Sequence, residues 1–417
     1  MDRLTCVLGL AAFVAFAWLL SFDRRRFPWR MVLAGLGLQA LLGWLLLRTA
    51  AGRAVFAAAG KAFDHLLGFA NEGVSMVFGP LANRELLVEK LGTANAFIFV
   101  VTVTGTIVFV SALSSLLYHY GILQVIVRGA AWAMRKVMRT SGSESLAAAA
   151  NIFMGQTEAP LVVKPYLPRM TRSELMALMT GGMSTIAGGV FAAYVAFGID
   201  AGHLLTASVM SAPAALMMAK ILCPEREVSE TASGASAQVE RPALNGLDAL
   251  CHGASDGIRL AGNVMAMLIA FVATVALVNA LLALGLRLVG VAQPQPLQWL
   301  LGWINAPFAW LMGVPGKDAL AVGQILGERV VLNEFMGYIS LAQAKESIDP
   351  RSLMLTTYAL CGFANFSSIA IQIGGISTLA PERRGELASL GLRAMVGGLL
   401  ACYCTAAMAG LLARGNG

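Results

Sequence analysis

The sequence predicts an all-α polytopic membrane protein of about eight transmembrane helices plus two re-entrant hairpins in inverted repeats. Three observations carry this. Hydrophobic residues make up 58% of the chain and charged residues 13%, against about 45–50% and about 25% in ordinary soluble domains. Charge-free runs recur from end to end, and about 20 apolar residues suffice to span a bilayer. Two further apolar stretches each hold a carboxylate beside helix breakers. Outer-membrane barrels are excluded, because their strands alternate in short segments. The net charge of +7 follows from Lys and Arg kept in cytoplasmic loops, so no nucleic acid is expected as a partner.

The first run, residues 4–22, is longer than a signal-peptide core, lacks an Ala-x-Ala site and ends in Asp23-Arg24-Arg25-Arg26. It reads as a retained first helix. Residues 31–47 return across the membrane. Residues 52–90, with Asp64, Glu72, Glu85 and Glu89, are expected outside, with an amphipathic helix on the outer surface. The later charge-free runs are 91–127, 175–199, 201–219, 260–286, 352–381 and 394–413. Basic clusters at 24–26, 135–139, 164–172 and 383–384 are assigned to the cytoplasm. Residues 224–248 form the one soluble-looking loop and read as a flexible cytoplasmic connector. The six cysteines lie mostly in apolar runs and have neither zinc nor disulfide spacing.

Residues 145–163 contain Gln156-Thr157-Glu158-Ala159-Pro160, and residues 319–341 contain Asn333-Glu334-Phe335. Irregular backbone at membrane depth survives only where protein buries it or a cavity wets it, so both read as re-entrant hairpins. Each is followed by a hydroxyl-rich element, Ser184-Thr185-Ile186-Ala187 and Ser367-Ser368-Ile369-Ala370. This weak repeat is the pattern of transporters whose broken helices meet at the midplane around substrate. Ser-Ser-Ile-Ala alone also suits plain helix packing.

Glu158 and Glu334 are the strongest functional signals, since a carboxylate near the bilayer centre costs about 2.5–3.5 kcal/mol and faces a cavity or a partner. Arg329, close in sequence to Glu334, is expected nearer the interface, and no basic residue is expected among the neighbouring apolar runs. Gln156, Thr157, Asn333, Asn365, Ser367 and Ser368 add amides and hydroxyls, a set suited to a neutral ligand with several hydroxyls and an amide-like ring edge. Asn151, one turn before Gly155, could join hydroxyl and carbonyl oxygens in a sodium site, and it could equally cap the hairpin. Gly35-Leu36-Gly37-Leu38-Gln39-Ala40 matches a dinucleotide fingerprint only loosely and lies within a span. Gly323 and Gly327 are expected to permit close helix packing.

The segments Asn151-Ile152-Phe153-Met154-Gly155-Gln156-Thr157-Glu158-Ala159-Pro160, Asn333-Glu334-Phe335 and Cys361-Gly362-Phe363-Ala364-Asn365-Phe366-Ser367-Ser368-Ile369-Ala370 resemble the signatures of the concentrative nucleoside transporter family. The resemblance covers essentially the whole chain, including Pro381-Glu382-Arg383-Arg384-Gly385. It implies a multi-pass homotrimer of the bacterial inner (cytoplasmic) membrane that imports nucleosides such as uridine with sodium or, alternatively, protons. It implies a nucleobase site of Gln156, Thr157, Glu158, Val190 and Phe363, and a ribose site of Glu334, Asn365 and Ser368. It also implies a sodium site of Asn151 and Thr185 with the carbonyls of Met154 and Ile186. By the same resemblance the mechanism is of elevator type. Residues 1–127 give scaffold helices with the periplasmic amphipathic segment, 128–222 the first repeat of the transport domain, 223–248 a cytoplasmic linker, 249–290 a scaffold helix, and 291–417 the second repeat.

Two readings compete. Another two-hairpin symporter, for a dicarboxylate or amino acid, would need a buried cation for its substrate. An intramembrane enzyme using Glu158 and Glu334 as acid and base would lack both a metal motif and a nucleophile–His pair, so no enzymatic activity is expected.

Overall fold

The computed structural model describes residues 2–92, 98–234, 243–288, 290–291 and 293–413, and among these it holds eighteen α-helices and no strand. Six helical stretches are long and apolar enough to cross a membrane, and two shorter apolar helices join them.

Helix α1 (Asp2–Leu19) turns back into α2 (Trp29–Arg48). The turn is pinned at Phe22, whose N–H donates to Leu222 O at 2.8 Å and whose ring lies under the guanidinium groups of Arg172 and Arg393. Thr49 caps α3 (Ala50–Phe78), and Asn83 caps α4 (Arg84–Leu91). Helix α3 buries Ala70 and Val74 and exposes Met76 and Val77. Next come α5 (Phe99–His119) and α6 (Ile122–Met138). The charge-free run 91–127 is therefore not one helix. The chain turns at Gly121, whose φ of +80° suits glycine because it lacks a Cβ. Helix α6 buries Gln124, Val127, Ala131, Met134 and Met138, the three-to-four spacing of an amphipathic helix.

Helices α7 (Gly142–Asn151) and α8 (Ala159–Val162) form the first hairpin around residues 152–158. Then follow α9 (Arg172–Ser184), α10 (Gly188–Ala196) and α11 (Ala201–Leu222). Helix α12 (Gly246–Leu288) runs 43 residues, or about 65 Å at 1.5 Å per residue, roughly twice the ~30 Å hydrocarbon core. Beyond it lie α13 (Pro296–Leu311), α14 (Ala319–Val331), α15 (Glu334–Ala344), α16 (Pro350–Leu360), α17 (Phe366–Leu379) and α18 (Arg384–Leu412). Gly323 and Gly327 let α14 approach α13 closely: a Cβ on Gly323 would lie 2.5 Å from Gly302 O.

The order of α7–α11 is repeated by α14–α18. In each, a helical pair interrupted at its tip precedes two half-helices and one long helix. The two long helices, α11 and α18, pack against each other and against α9 and α16. The charge-free runs 175–199 and 352–381 are each split into two helices, at Thr185–Ala187 and at Cys361–Asn365. An apolar run reports depth in the membrane and says nothing of where its backbone unwinds. The two breaks touch backbone to backbone: a Cβ on Gly362 would stand 2.7 Å from Met183 O and from the Ser184 carbonyl carbon.

Two basic residues are buried within the chain. Arg329, expected nearer the interface, is enclosed by protein. It is fully buried and donates to Ala359 O at 2.5 Å and Gly362 O at 3.2 Å, carbonyls freed at the end of α16. Lys220 is also buried, paired with Glu144 at 2.6 Å and Glu225 at 3.1 Å. Both cations are thus engaged by protein groups. The loop 224–248 is not wholly flexible. Ser229 Oγ donates to Glu174 Oε1 at 2.5 Å, Gly142 N donates to Thr231 O at 2.8 Å, and Arg135 holds Ser233 O at 2.9 Å. Residues 224–234 therefore strap the starts of α7 and α9 together. Of the rest of the expected connector, residues 235–242 lie outside the described residues and 246–248 already belong to the long helix α12.

Candidate functional site

The four interrupted elements converge on one polar centre. Glu334 opens α15 directly after Asn333, whose side chain accepts from Met336 N at 3.0 Å and so caps the helix. Asn333 is thereby occupied structurally, while the next residue points its carboxylate inward. Glu334 is 6% exposed. Its Oε1 accepts from the Tyr194 hydroxyl at 3.1 Å and its Oε2 from Asn365 Nδ2 at 3.0 Å. A helix N-terminus favours negative charge, and these donors supply the hydrogen bonds that a buried carboxylate needs.

Asn365 does two jobs. Its Oδ1 accepts from Ser368 N at 2.9 Å, capping α17, while its Nδ2 reaches Glu334. Ser367 Oγ also donates to Asn365 Oδ1, at 2.7 Å. Across the centre, Gln156 Nε2 donates to Ser368 Oγ at 3.1 Å. One polar chain therefore joins the first hairpin's tip to the second's: Gln156, Ser368, Asn365, Glu334, Tyr194. Beside it Val190 is buried at the start of α10 and Phe363 is half-buried in the break before α17. Thr157 and Glu158 are exposed, with Glu158 Oε2 accepting from Gly155 N at 3.3 Å.

A second cluster lies where the first hairpin meets the α9–α10 break. Asn151 is 1% exposed, and among the described residues neither atom of its carboxamide has a hydrogen-bond partner. A buried amide left unpaired costs about 1–3 kcal/mol. Gly181 makes room for it, since a Cβ there would stand 2.9 Å from Asn151 Nδ2. Thr185 is buried and its Oγ1 donates to Gly181 O at 3.0 Å, which leaves its oxygen free to accept. Gly188 N donates to Phe153 O at 3.3 Å and ties hairpin to break. Among the described residues no backbone N–H is bonded to the carbonyls of Met154 or Ile186. Several hard oxygens and an unpartnered amide fit a small alkali cation, the chemistry that broken helices offer to sodium.

Sequence reasoning placed Gln156, Ser368, Asn365 and Glu334 in one site, and the structure brings them together. It missed Tyr194 and Gln372. Each lies inside a charge-free run, at 175–199 and 352–381 respectively, among several other hydroxyl or amide residues, so nothing in the pattern set it apart.

Comparison with known proteins gives concordant matches. Residues 203–410 match the family model described as Na+ dependent nucleoside transporter C-terminus, residues 8–81 its N-terminal counterpart, and residues 100–201 a nucleoside recognition model. An uncharacterised Bacillus subtilis transporter, YutK, is 42% identical over 99% of this chain and 100% of its own. Solute carrier family 28 member 3 of Rattus norvegicus is 40% identical over 97% of this chain, which spans 58% of that longer protein. The solved structure of CNTnw in an inward-facing substrate-bound state is 39% identical, with a TM-score of 0.92 over 99% of this chain and 98% of that one. The chain, a polytopic membrane transporter rather than an enzyme, belongs to the sodium-dependent, concentrative nucleoside transporter family.

Proposed function

We propose that this protein imports nucleosides together with sodium across a bacterial inner membrane, as a homotrimer working by an elevator motion. The observation that carries the substrate site is the hydrogen-bonded chain from Gln156 through Ser368 and Asn365 to Glu334. It joins both hairpin tips at one point and offers acceptors and donors to a neutral polyhydroxylated ligand. Glu334, Asn365 and Ser368 hold the ribose hydroxyls. Gln156, Thr157 and Glu158 take the edge of the base between Val190 and Phe363. Substrate entry replaces the Gln156–Ser368 bond with bonds to the nucleoside, so these two side chains lose no partner on binding.

Sodium is the second cargo. The unpartnered Asn151 amide supports a site for it there, with Thr185 Oγ1 and the carbonyls of Met154 and Ile186. Cation binding at Asn151 orders residues 152–158, which carry Gln156, Thr157 and Glu158, and this couples ion to nucleoside. Helix α12 supports the assembly: it exposes Ile269, Leu277, Leu281, Leu284 and Leu288 along one continuous rod, while α7–α11 and α14–α18 form the moving body.

Calorimetry of uridine binding to the purified full chain tests the coupling, with sodium replaced by choline at constant ionic strength. Affinity should rise with sodium. Uridine affinity that ignores sodium but follows pH rejects sodium coupling in favour of protons.

A further inference from the structure

A second carboxamide lies behind Gln156. Gln372 sits on α17 between Ile371 and Ile373 and is 1% exposed. Its Nε2 donates to Met179 O at 3.1 Å and to Gln156 Oε1 at 3.1 Å. Its own Oε1 is buried without a donor among the described residues. Gly182 makes the space for both amides: a Cβ there would stand 2.6 Å from Gln372 Nε2 and 3.0 Å from Gln156 Cβ. An isoleucine or leucine would suit this apolar helix and would leave no orphaned acceptor, so the amide is there for its N–H groups.

The chemistry of the chain fixes its direction. The Met179 carbonyl can only accept, so the Gln372 atom facing it is the nitrogen, and both hydrogens of that nitrogen are then used. The Gln156 atom facing the same nitrogen must be its oxygen. Gln156's nitrogen is thereby turned the other way, toward Ser368 Oγ at 3.1 Å.

Resting on the reading of Gln156 as a nucleobase contact, we propose that Gln372 is a positioning residue that locks the donor–acceptor polarity of Gln156 and so selects which base edge the site accepts. Uracil presents a donor at N3 beside an acceptor at O4. Cytosine presents the reverse, an acceptor at N3 beside a donor at N4. A locked carboxamide distinguishes the two edges, whereas one free to flip accommodates either.

Calorimetric dissociation constants for uridine and cytidine, in saturating sodium, test this in the full chain. The wild type should prefer one of the two by about tenfold, because mismatched buried polar groups are left unpaired. In Gln372→Leu and in Gln372→Met, both close in volume, the ratio should fall toward one while both nucleosides still bind. Gln156→Leu should weaken both and also remove the preference, a readout independent of whether the Gln372 variants fold. A wild-type ratio near one, a ratio unchanged in the Gln372 variants, or a preference that survives Gln156→Leu overturns the proposal. A wild type that binds neither nucleoside rejects the nucleobase-site reading itself, and wild-type binding with an unaltered ratio in the variants rejects only the role of Gln372.

Discussion

Glu334 is the residue on which the ribose assignment depends. Hydrogen bonds to charged groups are worth about 1.5–3 kcal/mol, and an unpaired hydroxyl adds a desolvation cost. Glu334→Ala should therefore weaken uridine binding by about 2–4 kcal/mol in calorimetry, while 2′,3′-dideoxyuridine, poorly bound by the wild type, loses little more. Asn151 predicts a different signature. Coupling free energies are reciprocal, so sodium and nucleoside should tighten each other equally in the wild type. Asn151→Ala should weaken uridine binding at low sodium and recover part of it at high sodium, whereas Glu334→Ala should show no such recovery. Both residues stood out in the sequence because a polar side chain in an apolar run is costly. Tyr194 stood out less, since tyrosine is at home in apolar surroundings and its hydroxyl partner, Glu334, lies 140 positions away. The burial of Arg329 was hidden for a related reason: its partners include the backbone carbonyls of Ala359 and Gly362, which no residue pattern announces.

Among the elements, the hairpins could be read because Gly155, Pro160 and Asn333-Glu334 interrupt apolar sequence. The breaks at Thr185–Ala187 and Cys361–Asn365 were not read as breaks, because they lie inside charge-free runs and the close approach of Gly362 to Met183 and Ser184 appears only in three dimensions. The strap over the first repeat was hidden too. Glu144 and Glu174 each close a capping box with Ser141 and Thr171, yet each also serves a distant partner. Glu144 holds Lys220, and Glu174 gathers Ser141, Ser143 and Ser229. This binds α7, α9, α11 and residues 224–234 into one unit. Removing one member of a buried pair costs about 3–5 kcal/mol, because the other charge is left alone. Lys220→Met should lower the thermal unfolding temperature in detergent, and adding Glu144→Gln, which keeps the cap, should restore most of it. No loss in Lys220→Met would detach this pair from the stability of the first repeat.

For the whole molecule, composition alone indicated the membrane, and the repeat of α7–α11 by α14–α18 gives the transporter architecture its symmetry. Helix α12 is left with little cover in a single chain, only 6% of its most apolar window being buried. Native mass spectrometry from detergent should find three times the 43.8 kDa chain, and a monomer at that mass would leave the rod for lipid alone. Energetics then set what the assembly can do. One sodium entering down ~100 mV releases about 2.3 kcal/mol, and a tenfold sodium gradient adds about 1.4 kcal/mol. One-to-one symport can thus concentrate an uncharged nucleoside roughly 500-fold. The direct test is uptake of radiolabelled uridine into proteoliposomes holding the purified full chain, with and without an inward sodium gradient. The account predicts accumulation of unchanged uridine above its external concentration only when sodium flows inward. Equilibration without accumulation, or accumulation driven by a proton gradient with sodium absent, would contradict it.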